Sequence, residues 1–155
     1  MRNGVYGLEN DCKEGDIVII HDGVRPLVDD TVLTDVIRTA QKYGNGVMSR
    51  PVNEQIFCVG DTDLSITTEY IPKEKLRIVA TLQAYEYSNL KKCYQKAFEK
   101  EVGIYGSSYT NTMMVELGET LHFAAGSDQN IKLTTKENLE IFKAFLKADK
   151  DNWLK

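Results

Sequence analysis

Apolar positions along the chain repeat with two periods, and the switches between them mark out the elements. Ile17-Val18-Ile19-Ile20 is an unbroken run of β-favouring aliphatics, the pattern of an interior strand in a parallel sheet. Asp29 or Asp30 can cap a helix on which Leu33, Val36, Ile37 and Ala40 share one face to about Tyr43, with Gly44 as the stop. Gly46 to Val52 reads as a second strand, ending near Pro51. Residues 54–71 alternate about Gly60-Asp61-Thr62-Asp63, which predicts a β-hairpin. Leu76 to Thr81 is a further strand, and Ser88 or Asn89 opens a helix keeping Leu90, Cys93, Tyr94, Ala97 and Phe98 in register. A short helix near 110–117 leads to a strand at 120–125. Asn130 to Leu133 reads as a short strand, and Thr134-Thr135-Lys136-Glu137 is a capping box opening a last helix through about Leu146. Residues 2–12 carry one short apolar stripe, Val5 and Leu8, and read as the end of a helix. Strands alternating with helices predict an α/β layered fold with a mainly parallel sheet, from which the 54–71 hairpin can project as an arm.

Length and charge narrow the picture. With 155 residues the chain predicts one domain, large enough to bury a core. A net charge of −4 argues against a nucleic-acid binder, which needs a basic face, yet leaves room for a few cations around a phosphorylated metabolite. No run approaches the ~18 apolar residues of a membrane span, and the first residues lack the apolar core of a secretory signal. Three widely spaced cysteines, Cys12, Cys58 and Cys93, read as reduced thiols of a cytoplasmic protein. Two histidines exclude a histidine-rich metal cluster.

The candidate chemistry begins where the first strand stops. His21, Asp22 and Arg25 follow Ile20 directly, and in open α/β sheets the residues beyond the carboxyl end of a strand line the ligand crevice. The alternative is a capped turn, with Asp22 bonded to nearby N–H groups and Pro26 fixing φ. His21 reads as a packed residue that orients its neighbour, and His122 as an ordinary strand residue. Gly44-Asn45-Gly46 lies between a helix and a strand, the reverse of a phosphate loop, and so reads as a helix stop. Lys132, a lone cation between apolar neighbours just before a helix, can serve a phosphate as a point charge or can be a solvated edge residue.

"IVIIHDGVRPLV", "TLQAY" and "NIKLTTKENL", in that order and preceded by "RNGVYGL", resemble the cytidylyltransferases that make CDP-methylerythritol for isoprenoid biosynthesis, and their ribitol-5-phosphate relatives. The resemblance implies a three-layer, Rossmann-like nucleotidyltransferase sheet with a β-arm that interlocks a homodimer. It implies CMP transfer from CTP to a polyol phosphate, with pyrophosphate released and Mg²⁺ as cofactor. Catalysis of that kind is positioning plus neutralisation of charge. Carried over residue by residue, Asp22 faces substrate or metal, Arg25 braces the loop, and Lys132 stabilises phosphate charge. Lys73 matches an arginine that reaches from the arm to the partner subunit's substrate. Thr81 matches the threonine of Thr-Pro-Gln, and Thr110 a substrate-binding threonine. Asp22 and Lys132 are therefore expected to converge on one cavity.

The departures sit at the same positions. Lys73 lacks an arginine's bidentate fork. Leu82 stands for the proline of Thr-Pro-Gln, Asn111 and Thr112 stand where acids are usual, and Asn53-Glu54-Gln55 stands where Asp-Thr is usual, without the substrate-binding threonine. No Gly-x-Gly-x-Arg segment occurs, and the resemblance begins downstream of the family's CTP loop. The expectation is thus an N-terminally truncated, partial domain over 1–155, inactive on its own. Its alternative role is that of a catalytically dead remnant serving as a dimerising interaction module.

Overall fold

In the computed structural model, which describes residues 1–105 and 109–152, two sheets and five helices form. The main sheet contains β1 (Ile17–Ile20), β2 (Asn45–Pro51), β5 (Arg77–Glu86) and β6 (Phe123–Ala124), in the order β1-β5-β2-β6. The second is a pair, β3 (Ile56–Cys58) with β4 (Glu69–Ile71), and it is the hairpin predicted for 54–71.

The sheet corrects the mainly parallel expectation. β5 is antiparallel to both β1 and β2, and only β2 with β6 pairs parallel. The cause is the connection. A parallel return needs a crossover, commonly a helix, whereas β2 reaches β5 through the hairpin and a 3₁₀ turn at Lys73–Lys75.

Alternation along the strands builds three layers. Leu82, Ala84 and Met48 face α2 (Asp30–Tyr43), meeting its Val32, Val36 and Ala40. Tyr85 and Val47 face the opposite layer, which contains α1 (Arg2–Gly7), α3 (Tyr87–Lys100) and α4 (Thr110–Glu116), around Val5, Leu90, Cys93 and Met114. Asp29 caps α2 through Thr31 and Val32, and Gly44 ends it at φ 83°, a left-handed conformation that glycine adopts without a Cβ penalty. Gly46 is needed for another reason: a Cβ there would lie 2.4 Å from the Val36 carbonyl, so only glycine lets α2 lie this close to β2.

Several boundaries differ from the sequence reading: α1 ends at Gly7 and not near 12, β5 continues past the expected end at Thr81 to Glu86, and β6 keeps only Phe123 and Ala124 of 120–125. Residues 130–133 form no strand; Ile131 N–H donates to the Gln129 carbonyl at 2.7 Å, and Leu133 N–H to the Val24 carbonyl at 2.8 Å. The last helix, α5 (Lys136–Asn152), is capped one residue later than predicted: the Thr135 hydroxyl accepts from Asn138 N–H, and the Asn138 side chain accepts from Thr135 N–H. Among the described residues no helix is long and apolar enough to cross a membrane.

Candidate functional site

β1 ends at Ile20, opposite Gln83 of β5, so the next residues of both chains meet just past the strand end. There Asp22 N–H donates to the Thr81 hydroxyl at 3.0 Å, fixing the loop to the sheet. Arg25 N–H donates to the Asp22 carbonyl at 3.0 Å, so the turn is closed by backbone alone. The Asp22 carboxylate is not used up as a cap. Its Oδ2 receives Arg25 Nε at 3.2 Å and lies 3.4 Å from Lys132 Nζ. The turn and the crevice, opposed in the sequence, are both present and use different atoms of one residue.

Asn130 holds the far wall. Its side-chain amide donates to the Thr81 carbonyl, and its own carbonyl accepts Arg25 Nη1 at 2.7 Å. Arg25 is thereby braced at both ends of its guanidinium, and its side chain is only 15% exposed, against 45% for Lys132. Burial pushes the Asp22 carboxyl upward, but the hydrogen bonds and charges of Arg25 and Lys132 outweigh it and hold the group below the ordinary carboxylate value. Asp22 is therefore an anion between two cations, opening on a cavity of about 260 Å³ that Thr81, Gln83, Tyr109 and Asn111 also line. A second recess of about 360 Å³ lies beyond Arg25 and Lys132, against Arg50, Asp128 and Asn130.

The predicted site residues divide. Asp22, Arg25, Thr81 and Lys132 meet at one cavity. Thr110 is buried, its hydroxyl 2.7 Å from the Tyr94 hydroxyl, while its neighbours Tyr109 and Asn111 reach the cavity. Lys73 lies at the base of the hairpin, beside a cavity of about 450 Å³ lined by Gln55, Ile56, Phe57, Tyr70 and Ile71. That larger space is lined mainly by the hairpin's own side chains, with Lys73 and Glu74 at its edge, so it is the open side of the hairpin, whereas Asp22, Arg25 and Lys132 gather at the smaller one. Leu82 points away from the cavity into the α2 layer, so its exchange for proline is a core change. Sequence reasoning missed Asn130 and Gln83. The Asn-Ile-Lys order held the signal for the first, since an amide two residues from a cation can brace the same loop.

A metal fits only in part. Among the described residues no group of three or more His, Cys, Asp or Glu side chains is arranged to hold one. Asp22 Oδ1 accepts no hydrogen bond from the described residues, so it can supply one oxygen. Mg²⁺ commonly binds through one or two carboxylates plus substrate phosphates and water, which suits a single free carboxylate oxygen.

Residues 2–148 match the 2-C-methyl-D-erythritol 4-phosphate cytidylyltransferase (IspD) family. A ribitol-5-phosphate cytidylyltransferase of Lacticaseibacillus paracasei is 54% identical over 147 residues, covering 95% of this chain and 62% of that protein. A 2-C-methyl-D-erythritol 4-phosphate cytidylyltransferase of Desulforamulus reducens is 36% identical over 146 residues, covering 94% and 58%. The crystal structure of 4-diphosphocytidyl-2C-methyl-D-erythritol synthase from Anaerococcus prevotii superposes with a TM-score of 0.79 at 19% identity, over 94% of this chain and 62% of that one. The corresponding cytidylyltransferase of Thermus thermophilus gives 0.75 at 22% identity, over 93% and 67%. These two establish a shared fold. The chain spans about three-fifths of the length of the curated relatives it matches. With its three-layer sheet and a family match over nearly all its length, the chain belongs to the 2-C-methyl-D-erythritol 4-phosphate cytidylyltransferase family.

Proposed function

We propose that this chain carries the polyol-phosphate side of a cytidylyltransferase site, and that the reaction is CMP transfer from CTP to ribitol 5-phosphate. The observation that carries it is the anion Asp22 held between Arg25 and Lys132 on one polar cavity. A phosphate oxygen of the polyol attacks the α-phosphorus of CTP, one P–O bond forms, the bond to the β-phosphate breaks, and pyrophosphate leaves. Two negatively charged reactants must meet, so cations aimed at the meeting point lower the barrier. Lys132, half exposed and mobile on its four-carbon stem, neutralises the incoming phosphate; Arg25, tied down at both ends, holds the loop. Mg²⁺, where bound, would be held by Asp22 Oδ1 with phosphate oxygens and would supply charge neutralisation at the triphosphate.

Ribitol 5-phosphate is favoured over methylerythritol 4-phosphate by the 54% against 36% identity of the relatives so named. A catalytically dead interaction module is not favoured, because both curated relatives reported above carry cytidylyltransferase names and the four site residues remain together. Homodimerisation through the hairpin and a cytoplasmic location belong to the same proposal. The exposed apolar hairpin supports the first, and the free thiols of Cys12, Cys58 and Cys93 support the second. The test is pyrophosphate release with CTP, Mg²⁺ and each polyol phosphate, beside calorimetric titration of the two polyol phosphates. Binding that favours ribitol 5-phosphate is expected of residues 1–155, and turnover with the same preference once a Gly-rich CTP-binding loop, which these residues lack, is supplied. Neither binding nor turnover with either compound overturns the reading.

A further inference from the structure

We infer that Thr81 recognises a substrate hydroxyl as a hydrogen-bond acceptor, and that His21 imposes this polarity by accepting the hydrogen bond that the Thr81 hydroxyl donates. The inference deepens the proposed function and rests on it for the identity of the ligand. His21 stands at the strand end with both ring nitrogens engaged: Nε2 is 2.9 Å from the Arg25 carbonyl, and Nδ1 is 3.2 Å from the Thr81 hydroxyl. A carbonyl can only accept, so Nε2 carries the ring proton. In the neutral imidazole Nδ1 is then bare and accepts, and the Thr81 hydroxyl donates to it. The same hydroxyl accepts from Asp22 N–H at 3.0 Å. A hydroxyl has one proton and two lone pairs. Its proton is committed to His21 and one lone pair to Asp22, so a single lone pair is left for the cavity that Thr81 lines.

The consequence is selective. A phosphate or carboxylate oxygen brings no proton to that lone pair and is repelled by it, whereas a polyol hydroxyl donates to it. Within one substrate the two ends are thereby sorted: the phosphate goes to Lys132 and Arg25, and the hydroxyl-bearing carbons go to Thr81. Thr81 is 8% exposed as a residue, which fits a reader of one group and not of bulk solvent. His21 is a positioning residue here, acting through Thr81.

The tautomer is read first, by ¹⁵N NMR of His21 in the free protein above neutral pH. A protonated Nε2 with a bare Nδ1 is expected, and the opposite tautomer overturns the assignment whether or not any ligand binds. Calorimetry then compares ribitol 5-phosphate, its single-deoxy analogues and inorganic phosphate. Thr81→Val should weaken ribitol 5-phosphate by about tenfold, the worth of one hydrogen bond, and leave inorganic phosphate unchanged. One deoxy analogue should bind the wild type and Thr81→Val alike, and Thr81→Ser should restore the loss. His21→Asn, whose amide oxygen can stand where Nδ1 stood, should retain hydroxyl discrimination, and His21→Leu should lose it. Inorganic phosphate weakened as much as ribitol 5-phosphate in Thr81→Val would make Thr81 a phosphate donor and overturn the inference. A wild type that binds no polyol phosphate overturns the proposed function instead.

Discussion

The cavity around Asp22 and the hairpin from Ile56 to Ile71 are joined by one strand, β5, yet they are finished to different degrees. In the cavity the charged and anchoring groups are tied within their own chain: Asp22 meets Arg25 and Lys132, Arg25 meets Asn130, Thr81 meets Asp22 and His21. In the hairpin the two strands pair with each other, while Phe57, Leu64, Ile66 and Tyr70 are 53%, 74%, 59% and 68% exposed. Two-stranded hairpins are marginal alone in water, and clustered exposed apolar residues mark interaction surfaces. One region is preorganised for a small charged ligand by contacts it already makes. The other is complete only against another surface, and under the proposed function that surface is a second copy.

The sharpest way to break this contrast is to remove charge from the cavity. Lys132→Ala is expected to cut the transfer rate by about 10²–10³, the usual cost of losing one electrostatic stabiliser of developing charge. Stability should change by less than about 1 kcal/mol, because the ion pair with Asp22 is solvent-screened at a lysine 45% exposed. Steady-state kinetics beside urea melts separate the two. A variant that loses stability but keeps its rate would turn the cavity into scaffold.

The hairpin should respond in the opposite sense. Phe57→Lys, or replacement of 55–70 by a short turn, is expected to leave the fold intact and weaken self-association by about 2 kcal/mol or more, as for a buried aromatic at an interface. Light scattering across a dilution series measures it. A variant as dimeric as the wild type would sever the hairpin from assembly. The hydrogen bonds of the cavity should be unchanged, since none of them involves residues 56–71.

How much of this was legible in the sequence follows from which forces act locally. β1, α2 with its Asp29 and Gly44 ends, and the hairpin were readable, since periodicity and cap chemistry are properties of neighbouring residues. The reversal of β5 was not, because a strand's direction is set by the connection that delivers it and leaves no mark on its own pattern. Glu86 was missed as the cap of α3, where Ser88 or Asn89 had been expected, since it ends an otherwise ordinary strand. The burial of Thr110 toward Tyr94 was also hidden, because a helix of two turns has too few apolar positions to declare its inner face. Asp22 and Lys132 could be placed together because each follows a segment whose role was clear; Asn130, which joins them to Thr81, has no chemistry that stands out alone.

Glu86 gives a smaller test, at the end of β5 remote from both regions. Its carboxylate accepts from Ser88 N–H at 3.0 Å, Asn89 N–H at 2.7 Å and Gly15 N–H at 2.8 Å. Burial raises its pKa, but these bonds outweigh that and hold it below the ordinary glutamate value. A depressed folded value means the stabilisation is present above the unfolded value and is lost as pH falls through the folded one. Glu86→Ala should cost about 1 kcal/mol at neutral pH, the usual worth of an N-cap. Its gap from the wild type should narrow on acidification. Thermal melts on both sides of the carboxylate range check this. Ligand binding at the Asp22 cavity should be unmoved, which would establish that scaffold stability and site geometry are separable along one strand.

The weakest expected effect belongs to Lys73, the residue that connects the two regions. It lies at the foot of the hairpin, beside Gln55, Tyr70 and Pro72, and does not line its own chain's Asp22 cavity. If hairpins are exchanged between copies, its ammonium can reach a partner's bound phosphate, as a flexible point charge and not as a fork. Lys73→Ala should then raise the KM for the polyol phosphate several-fold, in line with an exposed charge pair worth under about 1 kcal/mol, with little change in kcat. The same substitution in a chain whose 55–70 segment has been shortened should do nothing, because no hairpin remains to carry the charge across. The effect should also fade with added salt, since both partners are solvated. Equal loss in the dimeric and shortened chains would mean that Lys73 acts within its own subunit, and the hairpin and the cavity would then be one region, not two.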